Sequence, residues 1–448
     1  MTQARFRAVG SSLASLVLGV VLATATLPAV AAPEDDLFWY FNVLRFQEIH
    51  DSGITGEGVT IAVIDSPINL DVPTLQGADI RVQESPCMDS AGAVRPGVSA
   101  EFDVAEHGTN VVSYIVGTGA GYEGQTGVKG VAPGATVLTY AVYISEEPQD
   151  ACYSLVDGAL DPMGVHDAAA RAMNEAIAAG ADIISVSQSW GGFGSQELWD
   201  AMITAVHQGV IVVGALSNNE LLSTAIDGPP GTFNGAVSVL GAKSNGELND
   251  LPGLAGDPSP NDSEYVQVVG PGWAIAWQGE AGNWAVQKRN QGTSIATPIV
   301  AGTLALAVDK YPEATGNQIL QSMIHNTGQE GGEPLWDPKF GWGFVVPSTL
   351  LAADPSQYPD INPLVVNVPL GEQYSSTGQI TRLPLFEDMF PEGLPSPSAT
   401  TSPDPSPSPD QPGGEGFGTI AIVGGIALLI VILAIVFTVI AVNRKKNS

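Results

Sequence analysis

The chain is organised around one stretch, Gln291-Gly292-Thr293-Ser294-Ile295-Ala296-Thr297-Pro298-Ile299-Val300-Ala301-Gly302. An apolar run at 295–308 follows two hydroxyl residues and predicts a buried helix. Ser294 would lie at or near the N-terminus of that helix, where free N–H groups and the positive end of the helix dipole favour negative charge on an oxygen. Because a serine alone is a poor nucleophile, a catalytic interpretation needs a histidine and a carboxylate elsewhere in the chain. The alternative is that Thr293 or Ser294 only caps a core helix.

Apolar strands and helices alternate on the N-terminal side of this stretch. The first strand, 59–64, is a continuous β-branched run of the kind that is buried on both faces in a parallel sheet. Further elements follow with short glycine turns: strands at 136–142, 182–187 and 210–213, and helices at 166–179 and 198–209. This alternation predicts an α/β fold, a doubly wound and mostly parallel sheet with helices on both faces. In such folds, catalytic groups gather at the carboxyl ends of the strands.

A carboxylate and an imidazole are available to activate Ser294. Asp65 stands at the carboxyl end of the first strand, although an aspartate there could also form a turn. Among the five histidines of the chain, His107 alone is followed by a glycine, a hydroxyl and an apolar helical run. Residues 84–106 are rich in Gly, Ser and Pro, so we expect a loop there and a helix that opens at His107.

In this order, the motifs around Asp65, His107 and Ser294 resemble those of the subtilase family of serine endopeptidases. The motifs are Val63-Ile64-Asp65-Ser66, His107-Gly108-Thr109 and Gly292-Thr293-Ser294-Ile295-Ala296-Thr297-Pro298. Their order differs from that of chymotrypsin and the α/β-hydrolases, and the resemblance extends from about residue 39 to residue 351. It implies that Ser294 is the nucleophile, that His107 acts as general base and then as acid, and that Asp65 orients the imidazole.

The resemblance also implies further residues around this triad. The backbone N–H of Ser294 and the side-chain amide of Asn218 would stabilise the oxyanion, with Asn219 as the alternative to Asn218. The segment Ser189-Trp190-Gly191 corresponds to the family's edge segment that pairs with an extended substrate, although Trp190 could instead be a core residue. No cofactor or metal is expected from a ligand motif, but structural calcium stays open because many subtilases bind it and the loops are acidic.

Composition and the two ends of the chain bear on partners and location. Asp and Glu number 47 against 16 Lys and Arg, so the net charge is −31 and nucleic acid is excluded as a partner for lack of a basic face.

Residues 1–31 have the positive start, apolar core and small-residue cleavage site of a secretory signal peptide. The uncharged apolar run 420–442 predicts a C-terminal transmembrane helix, and the basic residues at 443–448 predict a cytoplasmic tail.

These features predict an order of segments along the chain: signal peptide 1–31, N-terminal lead-in 32–58, subtilisin-like peptidase domain 59–354, extension 355–393 of undecided packing, Pro- and Ser-rich stalk 394–416, transmembrane helix 420–442 and tail 443–448. Cys87 and Cys152 would then lie in an oxidising compartment and are predicted to form a disulfide. They are too few and too far apart for a zinc site, and neither lies beside a histidine-bearing motif as a catalytic thiol would.

Two departures from the subtilase pattern bear on the expected function. Pro67 follows Ser66 where the family usually has glycine, so the local turn must differ. Only about two dozen residues separate the predicted cleavage site from the first strand, too few for the folded propeptide that secreted subtilases usually carry. That absence, the stalk, the anchor and the stretch 72–79 are similar to features of the mycosins, the membrane-anchored subtilases of type VII secretion.

The expected function is therefore that of a membrane-anchored, extracytoplasmic serine endopeptidase that cleaves proteins or peptides through an acyl-enzyme. The mycosin resemblance adds type VII secretion components as expected partners. The alternative is a structural subunit of a secretion assembly whose protease activity is secondary or lost. A third interpretation, a degenerate relative without activity, rests on Pro67 alone.

Overall fold

A parallel sheet forms the centre of the protein. The computed structural model of the chain describes residues 36–393 except 144–150, 157, 191, 193, 217, 219–227, 249–264, 328–333, 338, 367–373, 376–377, 380–383 and 385. Its strands are β1 (Thr60–Asp65), β2 (Ile80–Val82), β3 (Thr118–Ala120), β4 (Thr126–Lys129), β5 (Thr136–Ala141), β6 (Tyr153–Val156), β7 (Ala159–Pro162), β8 (Ile183–Val186), β9 (Ile211–Ala215), β10 (Val237–Ala242), β11 (Val268–Pro271), β12 (Ile275–Glu280), β13 (Asn283–Asn290), β14 (Tyr374–Ser375) and β15 (Gly378–Gln379). Its helices are α1 (Trp39–Val43), α2 (Phe46–Asp51), α3 (Phe102–Val116), α4 (Val165–Ala178), α5 (Gln196–Gln208), α6 (Thr293–Lys310), α7 (Gly316–His325), α8 (Pro347–Ala352) and α9 (Phe386–Met389).

Seven of these strands form one sheet in the order β11-β10-β9-β8-β1-β5-β2, and every neighbouring pair in it is parallel. β1 lies between β5 and β8, so the chain adds strands first on the β5 side of β1, with β2 at the edge, and then on its β8 side. This reversal places the carboxyl end of β1 at the switch point of the sheet, where open α/β folds bind their ligands. The predicted α/β fold with a parallel sheet is confirmed.

The two faces of the sheet are covered by separate layers of helices. Along β1, Ile61 and Val63 pack in a core shared with α3 and α6, whereas Ala62 and Ile64 pack in a core shared with α4 and α5. The alternation follows from the two-residue period of a strand. Helix α6 is apolar on all sides and is buried throughout 295–307, as expected for a helix enclosed within a large domain.

The predicted N-terminal lead-in packs into the core on the α3 and α6 side. Trp39, Tyr40, Phe41 and Phe46 are each no more than 4% exposed. The indole Nε1 of Trp39 donates to the backbone carbonyl of Trp273 at 2.8 Å. These aromatic residues therefore fold together with the sheet, although they precede its first strand in the chain.

Helix α3 begins five residues earlier than the sequence predicted. It starts at Phe102 after the N-cap Glu101, so His107 lies in its second turn and not at its start. The loop was expected to continue to residue 106, and this was wrong, because the loop ends at Glu101. The rings of Phe102 and Trp284 lie 5.1 Å apart, and this contact with a distant strand supports the first turn of the helix. Such tertiary packing overrides the weak local preference of a Gly- and Ser-rich approach.

The predicted signal peptide, stalk and transmembrane run lie outside the described residues. Across the described part of the chain, no helix combines the length and the apolar character needed to cross a bilayer. Part of the extension 355–393 packs on the domain, which the sequence left undecided. Asn362 Nδ2 donates to the Gly235 carbonyl at 3.0 Å, and the side chain of Met389 is fully buried.

The predicted disulfide between Cys87 and Cys152 is present, with an S–S distance of 2.06 Å. It joins the loop that follows β2 to the start of β6, and both cysteines are buried. The two residues are 65 positions apart in the chain, so the bond restricts a long loop in the unfolded state.

Candidate active site

Asp65 lies at the carboxyl end of β1 and is only 1% exposed. Its Oδ1 accepts hydrogen bonds from the Ser66 backbone N–H at 2.7 Å, from His107 Nδ1 at 2.7 Å and from Gln188 Nε2 at 3.4 Å. Its Oδ2 is buried and has no hydrogen-bond partner among the described residues. A buried carboxylate held in this way is suited to stabilise a positive charge on the neighbouring imidazole.

His107 reaches Asp65 from the second turn of α3, and its side chain is 34% exposed. Burial lowers the pKa of His107, but the charge of Asp65, the hydrogen bond to Asp65 and the charge of Glu106 together hold the pKa above its ordinary value of 6.5. Because Nδ1 is engaged by the carboxylate, Nε2 is the ring nitrogen that can accept a proton. The arrangement is therefore that of an oriented general base.

Ser294 is the second residue of α6, which begins at Thr293 after the N-cap Gly292. The N-cap is Gly292, which has no side chain, and Thr293 and Ser294 lie inside the helix, so the interpretation of either residue as a simple cap is wrong. Ser294 Oγ donates to the Ser187 carbonyl at 2.9 Å, and among the hydrogen bonds of the described residues none joins it to His107. Hydrogen bonds between catalytic groups are often long or absent before substrate binds. Its backbone N–H, in the first helical turn, has no partner within the helix.

Asn218 lies beside the first turn of α6. Its Oδ1 accepts hydrogen bonds from the Thr293 backbone N–H at 2.9 Å and from the Thr293 hydroxyl at 3.2 Å. Since the oxygen is used in this way, the amide plane is fixed and the NH₂ group is left as a donor. A Cβ atom at Gly292 would lie 3.3 Å from Asn218 Nδ2, which places that NH₂ group against the N-cap of α6. The alternative residue Asn219 lies outside the described residues.

The predicted substrate segment Ser189-Trp190-Gly191 is described only in part, since Gly191 lies outside the described residues. Trp190 is 3% exposed, and its backbone N–H donates to the Pro229 carbonyl at 3.1 Å. Ser189 Oγ accepts a hydrogen bond from the Gly228 N–H at 3.2 Å. The structure thus places the Trp190 side chain in the core, and that N–H group is not free to pair with a substrate backbone.

Two residues next to the predicted triad were not predicted themselves. The carbonyl of Ser187 contacts Ser294, and Gln188 links Asp65 to Trp190 because its Oε1 accepts a hydrogen bond from Trp190 Nε1 at 3.1 Å. Ser187 and Gln188 are the first two residues after β8, which ends at Val186. The general rule that site residues follow the carboxyl ends of parallel strands would have indicated them.

Because the loops are acidic, the sequence did not decide whether the protein binds calcium. Within the described residues, no group of three or more His, Cys, Asp or Glu side chains is placed to hold a metal ion. The absence of a cofactor stays a prediction, because residues 249–264, which include several aspartates, lie outside the described residues.

The chain that follows Asp65 packs directly against the residue after His107. Ser66 Oγ accepts a hydrogen bond from the Gly108 N–H at 2.9 Å. A Cβ atom at Gly108 would lie 2.4 Å from the Ser66 carbonyl oxygen and 2.9 Å from that of Pro67, closer than such atoms can approach. The turn that contains Pro67 is therefore fitted against α3, and it is compatible with the 2.7 Å contact between Asp65 and His107.

We expect the substitution Gly108→Ala to displace His107 from Asp65. The added methyl group must push either α3 or the Ser66 backbone aside, which should lower kcat/KM by about 10²-fold and the free energy of unfolding by about 1–3 kcal/mol. Peptidase kinetics and thermal unfolding measure the two effects. Gly164→Ala is the control, because a Cβ atom there meets only Asp167 Oδ2 at 3.9 Å. Wild-type kinetics in Gly108→Ala would show that the two elements are not tightly fitted.

Comparison with known proteins identifies the family of the chain. A model of the subtilase family matches residues 56–343 of the chain. Subtilisin NAT from Bacillus subtilis subsp. natto is 27% identical to it over 327 residues, which cover 71% of this chain and 75% of the relative. A subtilisin from Bacillus pumilus is 29% identical over 277 residues, which cover 62% of this chain and 86% of that protein.

Solved structures share the fold. Fervidolysin from Fervidobacterium pennivorans, a keratinolytic enzyme related to subtilisin, superposes with a TM-score of 0.52 at 22% identity over 70% of this chain and 45% of its own. MycP1 from the ESX-1 type VII secretion system also gives a TM-score of 0.52 at 22% identity, over 73% of this chain and 89% of its own. The family match spans the elements that carry Asp65, His107 and Ser294. The chain therefore belongs to the subtilase family and is a serine endopeptidase.

Proposed function

We propose that the peptidase acts through Asp65, His107 and Ser294. The observation that carries this proposal is the 2.7 Å hydrogen bond between His107 Nδ1 and the buried Asp65 carboxylate at the switch point of the sheet. Ser294 is the second residue of the buried helix α6, and its Oγ contacts the carbonyl of Ser187, the neighbour of the residue that contacts Asp65. No other described histidine is hydrogen-bonded to a carboxylate. His50, His207 and His325 each contact a backbone carbonyl. His166 is bonded to the Trp190 backbone, and its Nε2 has no hydrogen-bond partner among the described residues.

In the proposed mechanism, Ser294 Oγ attacks the scissile carbonyl carbon while His107 Nε2 accepts the hydroxyl proton. Asp65 stabilises the imidazolium that results, without taking the proton itself. The oxyanion accepts hydrogen bonds from the Ser294 backbone N–H and from Asn218 Nδ2. His107 then gives the proton to the leaving amine, and water attacks the acyl-enzyme in a second cycle that uses the same groups.

A fluorophosphonate probe tests the nucleophile directly. The probe should form a covalent adduct with the folded protein, and mass spectrometry of the digested adduct should place it on the peptide that contains Ser294. An adduct on another serine, or no adduct on folded protein, would contradict the proposal. The His107→Ala variant is the control, because loss of the general base should slow labelling while Ser294 is still present.

Asn218 gives a second prediction, directed at the oxyanion. The substitution Asn218→Ala should lower kcat about 10²–10³-fold with little change in KM, because the lost hydrogen bond forms fully only in the transition state. Asn218→Asp retains an acceptor for the Thr293 N–H at the same position but cannot donate, so it should lose activity to a similar extent. If the Asp variant kept wild-type kcat, the side chain would serve only to hold Thr293.

We further propose that the enzyme is mycosin-like, extracytoplasmic and anchored in the membrane by one C-terminal helix. Support comes from the predicted signal peptide at 1–31, the Pro- and Ser-rich stalk at 394–416 and the apolar run at 420–442. The shared fold with MycP1, a protein of a type VII secretion system, covers 89% of that protein. Proteins or peptides would be the substrates, and type VII secretion components would be the partners.

Location and secretion are tested in cells. A membrane-impermeant phosphonate should label the protein on intact cells, and a chain truncated after residue 417 should be released into the medium. Retention of the truncated chain in the membrane fraction would contradict anchoring by 420–442.

A second experiment separates a catalytic role in secretion from a structural one. It measures type VII secretion in the wild-type strain, in a Ser294→Ala strain and in a strain from which the gene is deleted. Secretion that persists with Ser294→Ala but fails on deletion would assign a structural role, whereas normal secretion in the deletion strain would remove the link.

A further inference from the structure

We infer that Glu106, Trp277 and Lys288 form a positioning network that holds the general-base helix α3 in register with the nucleophile. The inference rests on the mechanism proposed above, in which His107 and Ser294 must meet. Glu106 directly precedes His107 on α3. Trp277 and Lys288 belong to the hairpin formed by β12 and β13, which leads into the loop before α6.

A single carboxylate oxygen joins the helix to both strands of the hairpin. Glu106 Oε1 accepts a hydrogen bond from Trp277 Nε1 at 2.6 Å and lies 3.2 Å from the ammonium nitrogen of Lys288. Trp277 and Lys288 are directly opposite each other in the register of β12 and β13, so their side chains share one face of the hairpin. The bond from Trp277 is charge-assisted because its acceptor is a carboxylate oxygen, and hydrogen bonds of that kind are the strong ones, while Lys288 adds an ion pair.

The network touches the base through the indole of Trp277. The ring centroids of Trp277 and His107 lie 5.9 Å apart, and Trp277 is only 4% exposed. The bond to Glu106 fixes the rotation of the indole, so it also fixes the surface against which the imidazole rests. Glu106, Trp277 and Lys288 therefore act through His107 and are positioning residues.

The contact at Glu106 is one of three along the same face of α3. Asn110 exchanges two hydrogen bonds with the backbone of Gln278, at 2.9 and 2.7 Å. One turn further on, the Tyr114 hydroxyl donates to the Ala276 carbonyl at 2.6 Å. Positions 106, 110 and 114 are successive i, i+4 neighbours on a helix. The hairpin is thus bonded to three successive turns of α3. The contact nearest His107 is the one that involves charged side chains, Glu106 and Lys288.

The hairpin also reaches the nucleophile. β13 ends at Asn290, and Ser294 follows four positions later in the chain. The Gly292 N–H donates to the Gly272 carbonyl at 2.8 Å, so the loop between them is held close to the chain that enters β12. A displacement of the hairpin relative to α3 would therefore change the distance between His107 and Ser294.

The charges of the network also bear on the imidazole. Asp65 from β1 and Glu106 from α3 are the negative groups that stabilise protonated His107, and Lys288 from β13 offsets Glu106. Ser294 from α6 and Gln188 after β8 face the site as neutral groups. Removing Glu106 and removing Lys288 should therefore move the acid limb of the pH profile in opposite directions.

The experiment compares Glu106→Gln, Lys288→Met, the double variant and Trp277→Phe by steady-state kinetics across pH. Glu106→Gln should shift the acid limb of kcat/KM to lower pH, Lys288→Met should shift it to higher pH, and the double variant should lie between them. Trp277→Phe keeps a ring but loses the N–H donor, and it should lower kcat about 10-fold with KM changed less than about twofold. Glu48→Gln, which breaks the exposed Arg45–Glu48 ion pair, is the control and should match wild type.

Shifts in the same direction, or an unmoved acid limb together with wild-type kcat in Trp277→Phe, would overturn the inference. Fluorophosphonate labelling of Ser294 in the wild-type protein separates this failure from failure of the proposed mechanism. If labelling maps to Ser294 while the network variants behave as wild type, the mechanism stands and the positioning role falls. Restored kcat in Glu106→Asp, with Glu106→Ala inactive, would add direct support for a carboxylate at this position.

Discussion

Replacement of Ser294 with alanine should lower kcat about 10⁶-fold, the magnitude established for the catalytic serine of subtilisin and taken over here by family membership. Without the hydroxyl, no acyl-enzyme can form, and only the oxyanion donors and substrate binding remain to assist attack by water. KM should change little because the serine hydroxyl contributes mainly in the transition state. Hydrolysis of a fluorescent casein or a peptide anilide by purified protein measures the effect.

Ser322→Ala provides the matched control for Ser294→Ala. Ser322 is a fully buried serine in α7, and the same chemical change there removes a hydroxyl away from the proposed site. It should leave kcat/KM at the wild-type value while testing the tolerance of the fold. Residual activity of Ser294→Ala within about 10²-fold of wild type would show that another group is the nucleophile.

Asp65→Asn should lower kcat about 10⁴-fold near neutral pH, as does the corresponding change in chymotrypsin-like enzymes. The asparagine can donate its NH₂ group to His107 Nδ1, which favours the tautomer with the proton on Nε2 and removes the acceptor that Ser294 needs. The buried position also loses the charge that stabilises the imidazolium. Circular dichroism should show an intact fold, since asparagine has nearly the same size as aspartate.

The pH profile of kcat/KM for the Asp65→Asn variant should shift in a defined direction. The general base must be neutral, so activity is lost as pH falls through the pKa of His107. In the wild-type protein that pKa is held above its ordinary value, with Asp65 supplying the main opposing effect to burial. Loss of the carboxylate should therefore move the acid limb of kcat/KM to lower pH. A limb that stays in place or moves upward would mean that another group controls the wild-type profile.

Four of the seven strands of the sheet, β1, β5, β8 and β9, were predictable because they are continuous apolar runs, whereas β2, β10 and β11 were not predicted. β1 was expected at 59–64 and is observed at Thr60–Asp65, since only a strand buried on both faces uses so uniform a β-branched sequence. The hairpin of β12 and β13 was not predicted. Polar residues dominate β13, and its partly exposed pattern gives a weak signal on its own. Its position depends on contacts with α3 that are 168 positions away in the chain, such as that between Asn110 and Gln278.

The candidate site was predictable only as far as chain order and strand ends allow. Asp65 follows from its place after the first strand, and His107 from comparison of the five histidines. Joining both to Ser294 required the family resemblance, because nothing local in three short motifs says that they meet. The contact between Gln188 and Asp65 could not be predicted, since it depends on where β8 ends and on how the buried Trp190 orients the amide.

The hydrogen bond between Trp39 and Trp273 has a kinetic consequence. Its two residues lie 234 positions apart, so Trp39 cannot make this contact until most of the domain has been synthesised. At about 5–20 residues per second, that delay is roughly 10 to 50 s. Contacts of such high sequence separation slow folding, because the entropy of closing a long loop must be overcome before the contact stabilises anything. Until Trp273 has been made, Trp39 lacks this hydrogen-bond partner, so the packing of the N-terminal aromatic residues stays incomplete.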